Sequence, residues 1–132
     1  MLAVSSRSRL ALLVLVLAPL TLGACGSDKP GDGQSTAART IEITASEYEF
    51  NGDPGVIEPG DTIEFDVENV GQLDHSLEVL SSTGSSLGRT ERIVPGDRDA
   101  VTVTFAEAGV YRLICDVDDH LSRGQTASIT VG

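Results

Sequence analysis

From Thr40 to the end of the chain, apolar and polar side chains alternate with period two. Ile41 and Ile43 alternate with Glu42 and Thr44, Ile63, Phe65 and Val67 with Glu64, Asp66 and Glu68, and Val101, Val103 and Phe105 with Thr102 and Thr104. Successive side chains on a strand point to opposite faces, so each run predicts a strand with one buried face. Between the runs, "NGDPG", "EPGD", "VPGD" and "EAGV" supply the Gly and Pro that tight turns need. No stretch of ten or more residues carries helical spacing, although the polar connection from Ser81 to Arg92 has room for a short helical turn. Seven or eight strands in 93 residues, with no internal repeat, predict an all-β fold, an antiparallel β-sandwich of Greek-key type.

The first 39 residues break this pattern. A short start carrying Arg7 and Arg9 leads into an apolar run from Leu10 to Leu22 that Pro19 interrupts, followed by small residues. That is an export signal, too short for the roughly 18 apolar residues of a spanning helix. Leu22-Gly23-Ala24-Cys25 resembles the lipobox of bacterial lipoproteins, which implies cleavage after residue 24 and acylation of Cys25. The stretch "GSDKPGDGQSTAAR", residues 26–39, has the composition of a flexible tether. The expected organisation is a signal over 1–24, a lipidated cysteine and tether over 25–39, and one domain over 40–132. Such a domain would sit close to the outer face of the bacterial cytoplasmic membrane, held by acyl chains.

Removal of the signal leaves 108 residues with 7 basic and 20 acidic side chains, a net charge of −13. A surface this acidic repels nucleic acid and anionic headgroups, and it favours protein partners that carry basic patches.

Strand alternation also assigns faces to the chemically active residues. Tyr111, Leu113 and Cys115 share one face, with Arg112 and Ile114 on the other; His75, Leu77 and Val79 lie opposite Ser76 and Glu78; Gln125 heads the row of Ala127, Ile129 and Val131. Three polar side chains from separate segments thus point inward, and buried polar groups cost free energy unless something satisfies them. After the signal the chain holds two histidines, His75 and His120, one cysteine besides Cys25, and no methionine. Two imidazoles and a thiolate with a weak axial ligand form the donor set of mononuclear blue-copper sites, in which the axial position takes Met, Gln or a backbone oxygen.

Other chemistries fit less well. A thiol hydrolase built on Cys115 and His120 lacks an orienting third residue and an oxyanion motif. Multicopper oxidase or nitrite reductase chemistry needs more histidines, a binuclear copper centre needs a second cysteine in "CDVDD", and structural zinc sites usually use more thiolates. A disulfide between Cys25 and Cys115 is the default for two exported cysteines, but lipidation would occupy the Cys25 sulfur. A copper carrier or sensor, or an interaction module that has lost its metal, is the remaining rival; carriers tend to have open sites rich in methionine or histidine, and this chain is rich in neither.

The segments "VENVGQLDHSLEV", "IVPGDRDAVTVTFAEAGVYRLICDVDDH" and "SRGQTASITV" resemble the cupredoxin family of plastocyanin-like small blue copper proteins, over nearly all of residues 40–132. In that family a histidine follows an Asn-x-Gly stretch, here Asn69 to Gly71 and then His75. The second cluster of the family is matched by Cys115, His120 and Gly124-Gln125. The resemblance implies one copper ion held by His75, Cys115 and His120, no enzymatic activity, and single-electron transfer by a monomer. Most members carry methionine at the position of Gln125; glutamine resembles the stellacyanin-like branch and implies an axial oxygen donor, with a backbone carbonyl near Asp74 as the other candidate. Asn69 and Ser76 are candidates for hydrogen bonds that hold the ligand loops. Asp116, Asp118 and Asp119 read as a solvated acidic loop that could also form part of a docking surface.

Overall fold

Among the described residues eight strands form two four-stranded sheets. The computed structural model describes residues 38–132, so the expected signal, the acylated Cys25 and all of the tether but Ala38 and Arg39 lie outside the described residues. The strands are β1 (Arg39–Ser46), β2 (Glu49–Asn51), β3 (Thr62–Asn69), β4 (Glu78–Leu80), β5 (Ser86–Arg89), β6 (Arg98–Thr104), β7 (Gly109–Ile114) and β8 (Thr126–Val131). One sheet has the order β2-β1-β3-β6 and the other β5-β4-β7-β8. The chain therefore changes sheets at the β3–β4, β5–β6 and β6–β7 connections, the crossovers expected of a Greek-key sandwich. Among the described residues no helix is long and apolar enough to cross a membrane.

The residues assigned inward by alternation meet between the sheets. Ile41, Ile43, Ile63, Phe65, Val67, Val101 and Val103 from the first sheet, with Phe105 just beyond β6, pack against Val79, Tyr111, Leu113, Ile129 and Val131 from the second. Phe65 meets Phe105 edge to face at 6.3 Å, and Phe105 meets Tyr111 in the same way at 4.8 Å. The Tyr111 hydroxyl donates to the Glu107 carbonyl at 2.8 Å, which ties the β6–β7 turn to the core it caps. At the β3–β6 edge of the outer face, Arg98 pairs with both Asp66 and Glu68.

Three details differ from the sequence-based expectation. β1 runs parallel to β3, whereas every other strand pair is antiparallel. A period-two pattern fixes which face is buried and says nothing about the direction of a neighbour. Within Ser81 to Arg92 the structure has strand β5 rather than a helical turn, because Ser86–Arg89 completes the free edge of β4. Ile114 and Ser76, assigned to outer faces, are buried. Both flank the ends of short strands, where the chain leaves the pleat and folds over the end of the sandwich.

The pairing registers place four connections at one end of the molecule. β1 and β3 run in parallel and finish there at Ser46 and Asn69; β7 finishes there at Ile114, opposite Glu78 at the start of β4 and Thr126 at the start of β8. β6 begins beside the end of β3. Residues 46–49, 69–77, 93–97 and 115–125 thus converge, bringing His75, Cys115, His120 and Gln125 together from segments up to 50 residues apart.

Phe65→Ala, which empties a fully buried aromatic site at the centre of the first sheet, is expected to destabilise the domain by about 3–5 kcal/mol. Val110→Thr on the exposed face of β7 stays within about 0.5 kcal/mol of wild type. Guanidinium unfolding midpoints at constant m-value check both.

Candidate metal centre

One loop carries three of the four site residues, and backbone hydrogen bonds define its shape. The Cys115 amide donates to the Gln125 carbonyl at 3.2 Å, and the Gln125 amide donates to the His120 carbonyl at 3.0 Å. Between them, His120 N–H reaches Val117 C=O at 3.0 Å and Gly124 N–H reaches Leu121 C=O at 3.0 Å. Asp118 takes a positive φ of 45°, a left-handed conformation that Asp tolerates better than most residues. Gly124 takes φ +103°, a conformation L side chains rarely adopt, and it delivers Gln125 to the interior just before β8 begins.

His75 comes from the facing connection. Its amide and carbonyl exchange hydrogen bonds with Ile93 at 3.0 and 2.7 Å. Asn69 fastens this arrangement: its amide nitrogen donates to the carbonyls of Leu73 and Ile93, each at 2.8 Å, and its side-chain oxygen accepts the Gly71 amide at 2.9 Å. Asn69 is wholly buried, and its side-chain hydrogen bonds all go to backbone. Its side chain thus fastens the backbone of residues 71, 73 and 93 around the segment that carries His75.

The Cys115 sulfur and one ring nitrogen of each histidine all lie within 4.8 Å of one another, and all three residues are buried. Cys115 is a free thiol, and its sulfur lies 3.6 Å from His120 Nδ1. Ligands about 2.0 and 2.3 Å from one ion in a trigonal arrangement are about 3.7 Å apart, so this spacing fits a shared metal. The imidazoles of His75 and His120 tilt together with centroids 4.9 Å apart. Tyr48 packs edge-on against the other side of His120 at 5.0 Å, and the Arg123 guanidinium lies over the Tyr48 ring at 5.1 Å.

Gln125 completes the cluster. Its Nε2 donates to the carbonyls of Ser46 at 3.0 Å and Glu49 at 3.3 Å, which uses both amide hydrogens and turns Oε1 toward His75 Nδ1, 2.9 Å away. The side-chain oxygen, not the nitrogen, therefore faces the cluster.

Ser76 lies behind Cys115. Its amide points at the Cys115 sulfur from 3.5 Å, and its hydroxyl, 3.7 Å from that sulfur, donates instead to Asp116 Oδ1 at 2.5 Å. Asp116 N–H returns a bond to Ser76 Oγ at 3.2 Å, and Asp116 Oδ2 pairs with Arg89 at 2.9 Å. The neighbours of His75 and Cys115 are thus stitched together. The three acids of the expected solvated loop are indeed exposed, and each also meets a cation: Asp116 is bonded to Ser76 and Arg89, Asp119 pairs with Arg123 at 2.7 Å, and Asp118 lies 3.9 Å from Arg92.

Glu47, Tyr48 and the Asp116–Arg89 pair escaped the sequence reading. Glu47 and Tyr48 sit in "ASEYEF" between two strands, where the period-two signal ends and no motif replaces it. Glu47 Oε1 accepts the amides of Gln72 at 2.6 Å and Leu73 at 2.7 Å and lies 3.6 Å from His75 Nε2.

The comparisons agree with this fold. A family model described as a cupredoxin-like domain matches residues 11–129, beginning within the apolar leader. Reduced auracyanin from the photosynthetic bacterium Roseiflexus castenholzii is 19% identical with a TM-score of 0.62, over 73% of this chain and 99% of that one. Auracyanin A, a "blue" copper protein from Chloroflexus aurantiacus, is 17% identical with a TM-score of 0.62, over 73% of this chain and all of that one. A segment making up 39% of the multicopper oxidase mgLAC also matches, at 20% identity and a TM-score of 0.56 over 72% of this chain. At these identities the likeness shows a shared fold. No curated protein sequence matches the chain.

Gln125→Met removes the Nε2 donor from the Ser46 and Glu49 carbonyls, and is expected to destabilise the metal-free domain by about 1–3 kcal/mol. Asp116→Asn removes the charge paired with Arg89 while preserving shape, and is expected to cost about 1 kcal/mol. Urea unfolding of metal-free protein measures both.

Proposed function

The chain belongs to the cupredoxin-like family, and from that premise we propose that His75 Nδ1, Cys115 Sγ and His120 Nδ1 would hold one copper ion, with Gln125 Oε1 as a fourth, weaker donor, and that the protein passes single electrons between partners. The observation that carries this reading is the convergence of two buried imidazoles, one buried free thiol and one oriented amide oxygen. Copper, when bound, supplies the Cu(II)/Cu(I) couple.

This chain's residues supply the rest. A thiolate and two imidazoles suit both oxidation states, and a harder axial oxygen favours Cu(II) relative to a thioether. Burial excludes water from the site. The Ser76 amide directed at the sulfur, and the Ser76–Asp116 tie beside it, hold Cys115 in place. His120 is barely exposed, and it borders an open surface groove with Gln72, Leu73, Asp74, Arg92 and Asp118. That is the short way out for an electron.

A carrier of single electrons rather than an enzyme is favoured by the histidine count, since two cannot build the additional copper sites of an oxidase. The buried site argues against a copper carrier, which needs an accessible one. The lipobox supports anchoring of a monomer at the outer face of a bacterial membrane, and the net negative charge supports redox partners with basic patches.

Adding Cu(II) to residues 38–132 is expected to give an intense visible thiolate-to-copper band that Cys115→Ser abolishes. A colourless protein, or colour that survives the substitution, rejects the reading. Gln125→Met, which replaces the oxygen by a thioether, is expected to raise the reduction potential measured by voltammetry.

A further inference from the structure

Nε2 of His75 is buried and has no hydrogen-bond partner among the described residues. Buried polar atoms are normally satisfied, so an orphan of this kind calls for an explanation. The carboxylate placed against it belongs to Glu47, whose Oε1 lies 3.6 Å away. We propose that Glu47 is a positioning residue for the copper site, accepting the His75 Nε2–H hydrogen bond and fixing a negative charge behind that ligand. The inference rests on the reading of His75 as a ligand through Nδ1.

Ligation at one ring nitrogen leaves the proton on the other, and that N–H needs an acceptor to set the ring's orientation and raise its basicity. Around His75 the remaining geometry is built to hold such an acceptor. Glu47 Oε1 takes two backbone hydrogen bonds, from Gln72 and Leu73. These amides belong to the same 69–73 segment that Asn69 fastens to Ile93, the backbone partner of His75. A Cβ on Gly71 would lie 2.6 Å from Glu47 Oε1 and 2.8 Å from Oε2, so the glycine leaves the space the carboxylate occupies.

The Gln72 and Leu73 amides both point at the Glu47 carboxylate oxygen and hold it against His75. Its position is thus set by the protein backbone and not by the metal. A fixed anion one imidazole away favours the more positive Cu(II) state and pulls the reduction potential down.

The test uses copper-loaded wild type, Glu47→Gln and the control Glu107→Gln. Glu107 is an exposed acid in the β6–β7 turn, at the end of the sandwich away from the site. In a redox buffer of fixed potential, Glu47→Gln is expected to raise the Cu(I)/Cu(II) ratio about tenfold, equivalent to about 59 mV for one electron, with the charge-transfer band retained. A coloured Glu47→Gln whose ratio moves no more than that of Glu107→Gln overturns the inference alone. A wild type that takes up copper without the band overturns the copper-site reading, and this inference with it. Should Glu47→Gln fail to fold, imidazole proton–nitrogen spectra of diamagnetic Cu(I)-loaded wild type decide. A strongly downfield, slowly exchanging His75 Nε2–H supports the pairing, and a proton in free exchange with solvent refutes it.

Discussion

A backbone hydrogen bond from the Cys115 amide to the Gln125 carbonyl closes the loop on which most of the site depends. It joins the first residue beyond β7 to the last before β8, extending the β7–β8 ladder by one step. The nine residues between can then neither slide along the sheet nor splay away from it. The second tie, from Gln125 N–H to His120 C=O, converts that closed loop into a fixed triangle of cysteine, histidine and glutamine. Each side chain faces inward because the ladder places its backbone there. Interior burial then removes water as an alternative partner for the polar atoms.

The opposite wall is built by a different device. His75 lies before β4 begins and is held by an isolated bridge to Ile93. Asn69 is the keystone of that wall. With three side-chain hydrogen bonds it ties the turn after β3, the carbonyl of Leu73 and the bridge to Ile93 into one unit. An aspartate of the same shape would bring acceptors where two carbonyls need donors, so the amide is required chemically as well as sterically.

Much of this was legible in the sequence. Alternation found the buried rows of β1, β3, β6, β7 and β8, and it turned Cys115, His75 and Gln125 inward. The rarity of histidine and cysteine then singled out a cluster that the fold does assemble. What stayed hidden was set by contacts between segments with no local signal. The parallel pairing of β1 with β3, strand β5, and the burial of Ile114 and Ser76 depend on which neighbour the fold supplies. Asp116 looked like one of three solvated acids, and only the approach of Ser76 and Arg89 from elsewhere in the chain sets it apart. Glu47 was illegible for the same reason: its partners lie 25 to 28 residues away, in a turn whose amides carry no sequence signature.

Under the proposed reading, these ties bear directly on the rate of electron transfer. One-electron exchange is fast when the ligands need little rearrangement between oxidation states. A site whose ligands are positioned by the metal would relax whenever the metal's preference changed. Here every ligand-bearing segment is fixed by hydrogen bonds that leave the donor atoms free: Cys115 and Gln125 by the closed loop, His120 by the Val117 carbonyl, His75 by Ile93 and Asn69. Gln125 shows this most clearly, because both its amide hydrogens are committed to carbonyls of the β1–β2 connection and its oxygen is left as the donor that faces inward. The glutamine that departs from the usual methionine is thus built into the scaffold from two sides, and replacing it alters the frame as well as the donor.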